Sequence, residues 1–158
     1  MQNYLNNLIG IRPRSQLYIS SSLQPPRQPQ RFIPGELAGI AAVSAEEAAI
    51  ASRAARVAVD IGDAAATETA ILRARAMAVT AAVAGRTAIG IAEAAGVPVK
   101  DLRIATTQIE KEARNASVDA RAGRALLPEE TAIRADDLAR LAAVIATETR
   151  RLANIMRH

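Results

Sequence analysis

Apolar positions recur at helical spacing from Glu36 onward, and the elements they predict are long. Ile40, Val43, Ile50, Ala54, Val57 and Ile61 follow one another at intervals of three, four and seven residues, which lines one helix face as a seam for partner helices. Gly62 interrupts the row, and Asp63 is placed to cap a second run over 64–84, with one helix passing through Gly62 as the alternative. Gly85 is expected to end that run and a shorter helix to follow over 87–95. After Gly96-Val97-Pro98, residues 101–124 predict a helix with Leu102, Ala105, Ile109, Ala113, Ala116 and Ala120 inside. Gly123 and Pro128 mark another break, and Glu129 and Glu130 then occupy a first turn, where the helix dipole favours acids. The last helix carries Leu138, Leu141, Ile145, Leu152 and Ile155 in heptad spacing with Glu148 as a polar interruption, and its basic end, Arg150, Arg151 and Arg157, complements the dipole.

Residues 1–35 are patterned differently. Tyr4, Leu5, Leu8 and Ile9 mark one side of a two-turn helix ending at Gly10, too short to stand alone in water. Pro13, Pro25, Pro26, Pro29 and Pro34 then favour extended backbone. Leu17, Tyr18, Ile19, Leu23, Phe32 and Ile33 supply more apolar anchors than a solvated tail needs, so this stretch is expected to be an arm that docks onto neighbouring subunits, with a disordered tail as the other reading.

Composition sharpens that boundary. Residues 1–35 hold no alanine and no acid, whereas the remaining 123 residues hold 37 alanines, no aromatic, and 16 basic against 16 acidic side chains. The formal charge of +4 therefore resides in Arg12, Arg14, Arg27 and Arg31, and the helical body is neutral. Alanine buries little area compared with leucine or phenylalanine, so a largely alanine core is weakly stabilised on its own and the missing burial is expected between subunits. The N-terminus lacks the basic start of a signal peptide, and the uncharged stretch 76–85 is about half of the roughly 20 residues a membrane helix needs, so neither secretion by a signal peptide nor an integral span is expected.

Chemistry is sparse. With no cysteine and His158 as the one histidine, a Ser-His-Asp triad, a Cys-His pair or a Cys- or His-based metal site cannot be assembled from one chain. Adjacent acids such as Glu46-Glu47 and Asp136-Asp137 point in different directions around a helix, and no strand precedes Gly85, Gly90 or Gly96 to make a phosphate loop. No catalytic, cofactor or metal residue is assigned, and an enzyme is not expected.

Two resemblances centre on the glycine-proline joint. The segment Ile91-Ala92-Glu93-Ala94-Ala95-Gly96-Val97-Pro98-Val99-Lys100-Asp101-Leu102 resembles the helix-turn-helix of bacterial repressor-type regulators, with a small residue at Ala92, a turn glycine at Gly96 and apolar residues at Val97 and Leu102. That resemblance implies that Val99, Lys100, Arg103 and Thr107 face a DNA groove. Over residues 70–125 the chain also resembles the internal core, or ejection, proteins of short-tailed bacteriophages. The shared elements are an Ala/Arg-rich helix over 73–86, the break at Gly96, the restart Val99-Lys100-Asp101-Leu102, and Gln108-Ile109-Glu110 with Glu112-Ala113-Arg114-Asn115. This second resemblance implies a helical virion component that assembles into rings or tubes.

The expected architecture is all-α: an extended, proline-rich, basic arm over 1–35 and a body over 36–158 of several long alanine-rich helices packed in an oligomer. The expected oligomer seam is Ile40, Val43, Ile50, Val57, Leu138, Leu141, Ile145 and Leu152; the expected docking residues of the arm are Arg12, Arg14, Tyr18, Arg27, Arg31 and Phe32. The leading expectation is a non-enzymatic assembly subunit of a phage virion or the bacterial cytoplasm, whose partners are its own copies and other proteins of the assembly. A DNA-binding regulator is the alternative, and an adaptor that docks through its arm is a further one. The basic arm makes nucleic acid a candidate partner.

Overall fold

The computed structural model describes residues 34–157, and the expected arm residues Arg12, Arg14, Tyr18, Arg27, Arg31 and Phe32 lie outside them. Four helices follow one another: α1 (Pro34–Asp60), α2 (Ala64–Ala94), α3 (Lys100–Arg121) and α4 (Pro128–Met156). No strand occurs among the described residues, so the body is all-α.

Three glycines end three helices in the same way. Gly62, Gly96 and Gly123 have φ of 72°, 71° and 67°, the left-handed conformation that glycine adopts without a Cβ clash. In each case the amide after the glycine donates to a carbonyl five residues back: Asp63 to Ala58 at 2.9 Å, Val97 to Ala92 at 2.9 Å and Arg124 to Asp119 at 2.9 Å. The Asp63 carboxylate accepts from the Ala66 amide at 2.9 Å, so α1 and α2 are separate helices with a capped restart between them.

The pairings across the helices define an up-down-up-down bundle. Glu47 meets Arg73 across α1 and α2, Arg86 meets Glu110 and Arg103 meets Glu93 across α2 and α3, and Arg134 lies 3.8 Å from Glu112 across α3 and α4. Ser52 and Arg56 both donate to Asp136, which closes α4 against α1. α2 and α4 also touch across the diagonal, while α1 and α3 do not.

The interior is built from the smallest side chains. On α1 the buried row is Leu37, Ala41, Ser44, Ala48, Ala51, Ala55 and Ala58; on α2 it is Ile71, Ala74, Ala78, Ala81, Gly85, Ala88 and Ala92. Both rows alternate steps of three and four, the heptad rhythm of helices that pack side by side at a shallow angle. The larger residues, Leu102 and Ile109 of α3 with Leu138, Ile145 and Leu152 of α4, fill the remaining space.

Gly85 does not end a helix, as its position in the sequence led one to expect. It lies inside α2, in step with the alanine row, and a Cβ there would come within 2.9 Å of Thr106 Oγ1 and 3.2 Å of both Ile145 and Leu102. The absence of a side chain at Gly85 is what lets α3 and α4 close over α2 at that level. Thr106 Oγ1, directly opposite, is buried without a hydrogen-bond partner. Thr106→Val keeps the shape and removes the stranded hydroxyl, so it is expected to raise stability by about 1 kcal/mol. Thermal unfolding checks this, and a lowered Tm would show that the hydroxyl is engaged.

Candidate functional site

The α1 helix carries a second heptad row, and this one faces away from its own bundle. Ile40, Val43, Glu47, Ile50, Ala54 and Val57 run along the helix at alternating steps of three and four, and Ile61 continues the row just past its end. Val43, Ile50, Val57 and Ile61 are 63, 43, 59 and 70% exposed. The usual arrangement is largely inverted on this helix: apart from Leu37 and the half-buried Val59, alanine and serine are inside, and Ile40, Val43, Ile50 and Val57 are outside. Scattered surface aliphatics are ordinary, but an ordered row of them sustained over three heptads is the pattern of a helix awaiting a partner. Glu47 is the single charge in the row, and its carboxylate turns aside to Arg73 of α2 at 2.5 Å.

Beside the row runs a shallow groove between α1 and α2. It encloses about 440 Å³ and is lined by Ile50 and Ala54 from the row and by Ala66, Thr69 and Ala70 of α2. A second, shorter apolar row lies on the outside of α2 at Leu72, Ala76, Val79 and Val83. Along the sequence this row is hard to see, because its alanines and valines merge with the buried row of the same helix. An open groove between α3 and α4, lined by Ile104, Leu141 and Val144 among others, is a further apolar surface.

The α4 half of the expected oligomer seam is corrected by the fold. Leu138, Ile145 and Leu152 are at most 2% exposed within the single chain, and Leu141 is half-buried at the α3–α4 grooves. Heptad spacing shows that a face packs against helices, and here those helices belong to the same chain. Ile40, Val43, Ile50 and Val57, by contrast, remain open to solvent.

The four residues that the helix-turn-helix resemblance directs toward DNA do not form one exposed face. Val99 is buried at 7%, while Lys100 and Thr107 are exposed and Arg103 pairs with Glu93 of α2. α3 runs back along α2 for 22 residues, locked by Arg103–Glu93 near the joint and Arg86–Glu110 further along, rather than projecting as a short recognition helix. The joint is also tied to the end of α4, because Arg151 donates to the Pro98 carbonyl at 3.0 Å and to Glu148 at 2.9 Å. Glu148 and Arg151, read from sequence as an interruption and a dipole complement, together brace this turn.

One cleft concentrates charge. Arg75, Arg124 and Arg134 line a cavity of about 400 Å³ among α2, α3 and α4, together with Glu68 and Asp119. Burial pushes the Arg75 guanidinium below its usual pKa, with Glu112 opposing that shift and Arg134 adding to it. Arg134 lies 3.8 Å from both Glu112 and Asp119, and Arg124 3.8 Å from Asp119, so acids offset the bases and the cleft is a structural charge network. Among the described residues no group of three or more His, Cys, Asp or Glu is arranged to hold a metal ion. α2 is by length and composition apolar enough to cross a membrane; in this fold it packs against all three other helices, as α4 does. Comparison with known protein families, with curated proteins and with solved structures finds no match to this chain.

Proposed function

We propose that this protein is a non-enzymatic structural subunit that self-associates through the outer face of α1. The observation that carries the reading is the inverted helix: beyond Leu37, α1 faces its own bundle almost wholly with alanine and serine and presents Ile40, Val43, Ile50 and Val57 to solvent in heptad order. A solitary bundle gains nothing from that arrangement, whereas an assembly gains the burial that the small-residue interior does not supply. The most concrete setting is the interior of a bacteriophage virion, as a core or ejection component, on the strength of the resemblance over residues 70–125. DNA recognition through the joint is the less favoured reading, because Val99 is buried and Arg103 is engaged by Glu93.

Substitution on the outer row separates assembly from folding. Val43→Asp with Val57→Asp places charges where an apolar contact would form yet touches no buried residue, so helical circular dichroism should stay near its starting value while self-association weakens at least about 100-fold. Sedimentation velocity of both proteins at matched concentrations measures this. A wild-type chain that stays monomeric at about 100 µM, affinities weaker than that being marginal for a stable assembly, would refute the proposal.

A further inference from the structure

The edges of the outer α1 row differ in chemistry, and that difference specifies how a second copy must lie. Along one edge Ser44, Ala51 and Ala58 are buried in the chain's own bundle. Along the other stand Glu46 and Arg53, each one residue before a row position and each exposed. Their neighbours are committed, Glu47 to Arg73 and Arg56 to Asp136, but Glu46 and Arg53 make no ion pair among the described residues. They are seven residues apart, about 10.5 Å along the helix axis, too far to pair with one another within one helix.

We infer that α1 packs antiparallel against α1 of a second copy, across a twofold axis close to Ala49, with Glu46 of each copy facing Arg53 of the other. The inference rests on the assembly reading above and deepens it by naming occupant and register. In a parallel pair the charged edge of one helix would lie along the uncharged, buried edge of the other, leaving both charges without a partner. Antiparallel pairing brings the two charged edges together, and because Glu46 and Arg53 lie on opposite sides of the axis, opposite signs meet twice. The same register sets Ile40 against Val57 and Val43 against Ala54 of the second copy. Glu47, the polar member of the row, falls near the axis, where its tie to Arg73 already draws its carboxylate sideways. The groove between α1 and α2, bordered by Ala66 and Thr69, leaves room for the other copy's side chains to settle beside the row.

A charge-exchange experiment on the full chain tests this. Glu46→Arg alone sets arginine against arginine at both contacts, and Arg53→Glu alone sets glutamate against glutamate. Each should weaken self-association by about tenfold, two opposed pairs at modest exposed-pair energies being lost and replaced by repulsion. Mixing the two single variants should restore association, because one copy then carries arginine at both positions and the other glutamate at both. The double variant Glu46→Arg/Arg53→Glu should associate like wild type. Fluorescently tagged copies report mixed pairs, and circular dichroism shows that all variants are folded, since both side chains are exposed. If wild type associates but the mixture of single variants does no better than either alone, the antiparallel register is wrong while the assembly reading stands. Association insensitive to Val43→Asp but abolished by Leu72→Asp would move the contact to α2 and likewise overturn the α1 pair. A monomeric wild type removes both.

Discussion

Ile145→Asp is expected to unfold the monomer rather than to disperse an assembly. Ile145 is fully buried and lies against the helix face at Gly85, where its Cγ2 methyl would stand 3.2 Å from a Cβ added to the glycine. A carboxylate at that point loses its hydration and finds no cation, a penalty of several kcal/mol against a total stability of about 5–15 kcal/mol for a domain. Far-UV circular dichroism at 25 °C should show most of the helix signal gone, at concentrations where Val43→Asp leaves it intact. Burial raises the pKa of an introduced Asp, so the folded state takes up its proton at higher pH than the unfolded chain does. The charge penalty is therefore full above the raised value and shrinks as pH falls through it. Comparison with Ile145→Asn isolates that component: the gap in unfolding midpoint between the two variants should narrow in mild acid. A variant that keeps its helices and only dissociates would place Ile145 between subunits.

Gly85 is expected to break the usual rule for glycine in helices. Replacing an interior helix glycine by alanine ordinarily stabilises by up to about 1 kcal/mol. At Gly90, where a Cβ meets nothing within 4 Å, that gain is expected. At Gly85 the new methyl meets Thr106 Oγ1 at 2.9 Å and two aliphatic groups at 3.2 Å, so Gly85→Ala should destabilise by about 1–3 kcal/mol and Gly85→Val by more. Denaturant unfolding of the three variants side by side makes the comparison. Thr106→Ala removes the nearest obstacle and should recover part of the loss when combined with Gly85→Ala, a coupling that a double-mutant cycle reads directly. Equal stabilisation at both glycines would mean that α3 and α4 stand further from α2 than the structure places them.

These two residues also show where the sequence was legible and where it was not. The all-α body and its breaks at Gly96 and Gly123 are local matters, decided by backbone conformation and hydrogen bonds within a few residues, and are legible in the sequence; at Gly62 the sequence leaves a capped restart and a continuous helix open, and the structure has the restart at Asp63. At Gly85 the sequence is ambiguous, because a glycine that ends a helix and one that admits a neighbour look alike along the chain; the neighbour, Thr106, is on another helix. The outer row of α1 and the buried row of α4 share one heptad rhythm, which carries no mark of whether the partner helix is in the same chain or another. Alanine made the ambiguity worse. On α1 it fills the bundle-facing positions that larger residues would normally identify, leaving the prominent isoleucines and valines to mark the outside. The helix-turn-helix resemblance failed on Val99 for a related reason: a match over one turn contains no information about the α2 surface against which that residue is buried.

The alanine rows have a further consequence for alignment. Ala41, Ala48 and Ala55 on α1, like Ala74, Ala81 and Ala88 on α2, are copies of one another at seven-residue intervals, so sliding one helix by two turns lays methyl on methyl again. Such a surface is a smooth rail: it holds helices close but is nearly indifferent to their position along it. Gly85 is the one place on the α2 rail where the repeat is missing a methyl, and Thr106, Leu102 and Ile145 drop into that gap. Displaced by a heptad in either direction, the same three side chains would ride on Ala78 or Ala92. The glycine thus acts as a detent, converting a bundle that could glide among equivalent settings into one that stops at a single setting.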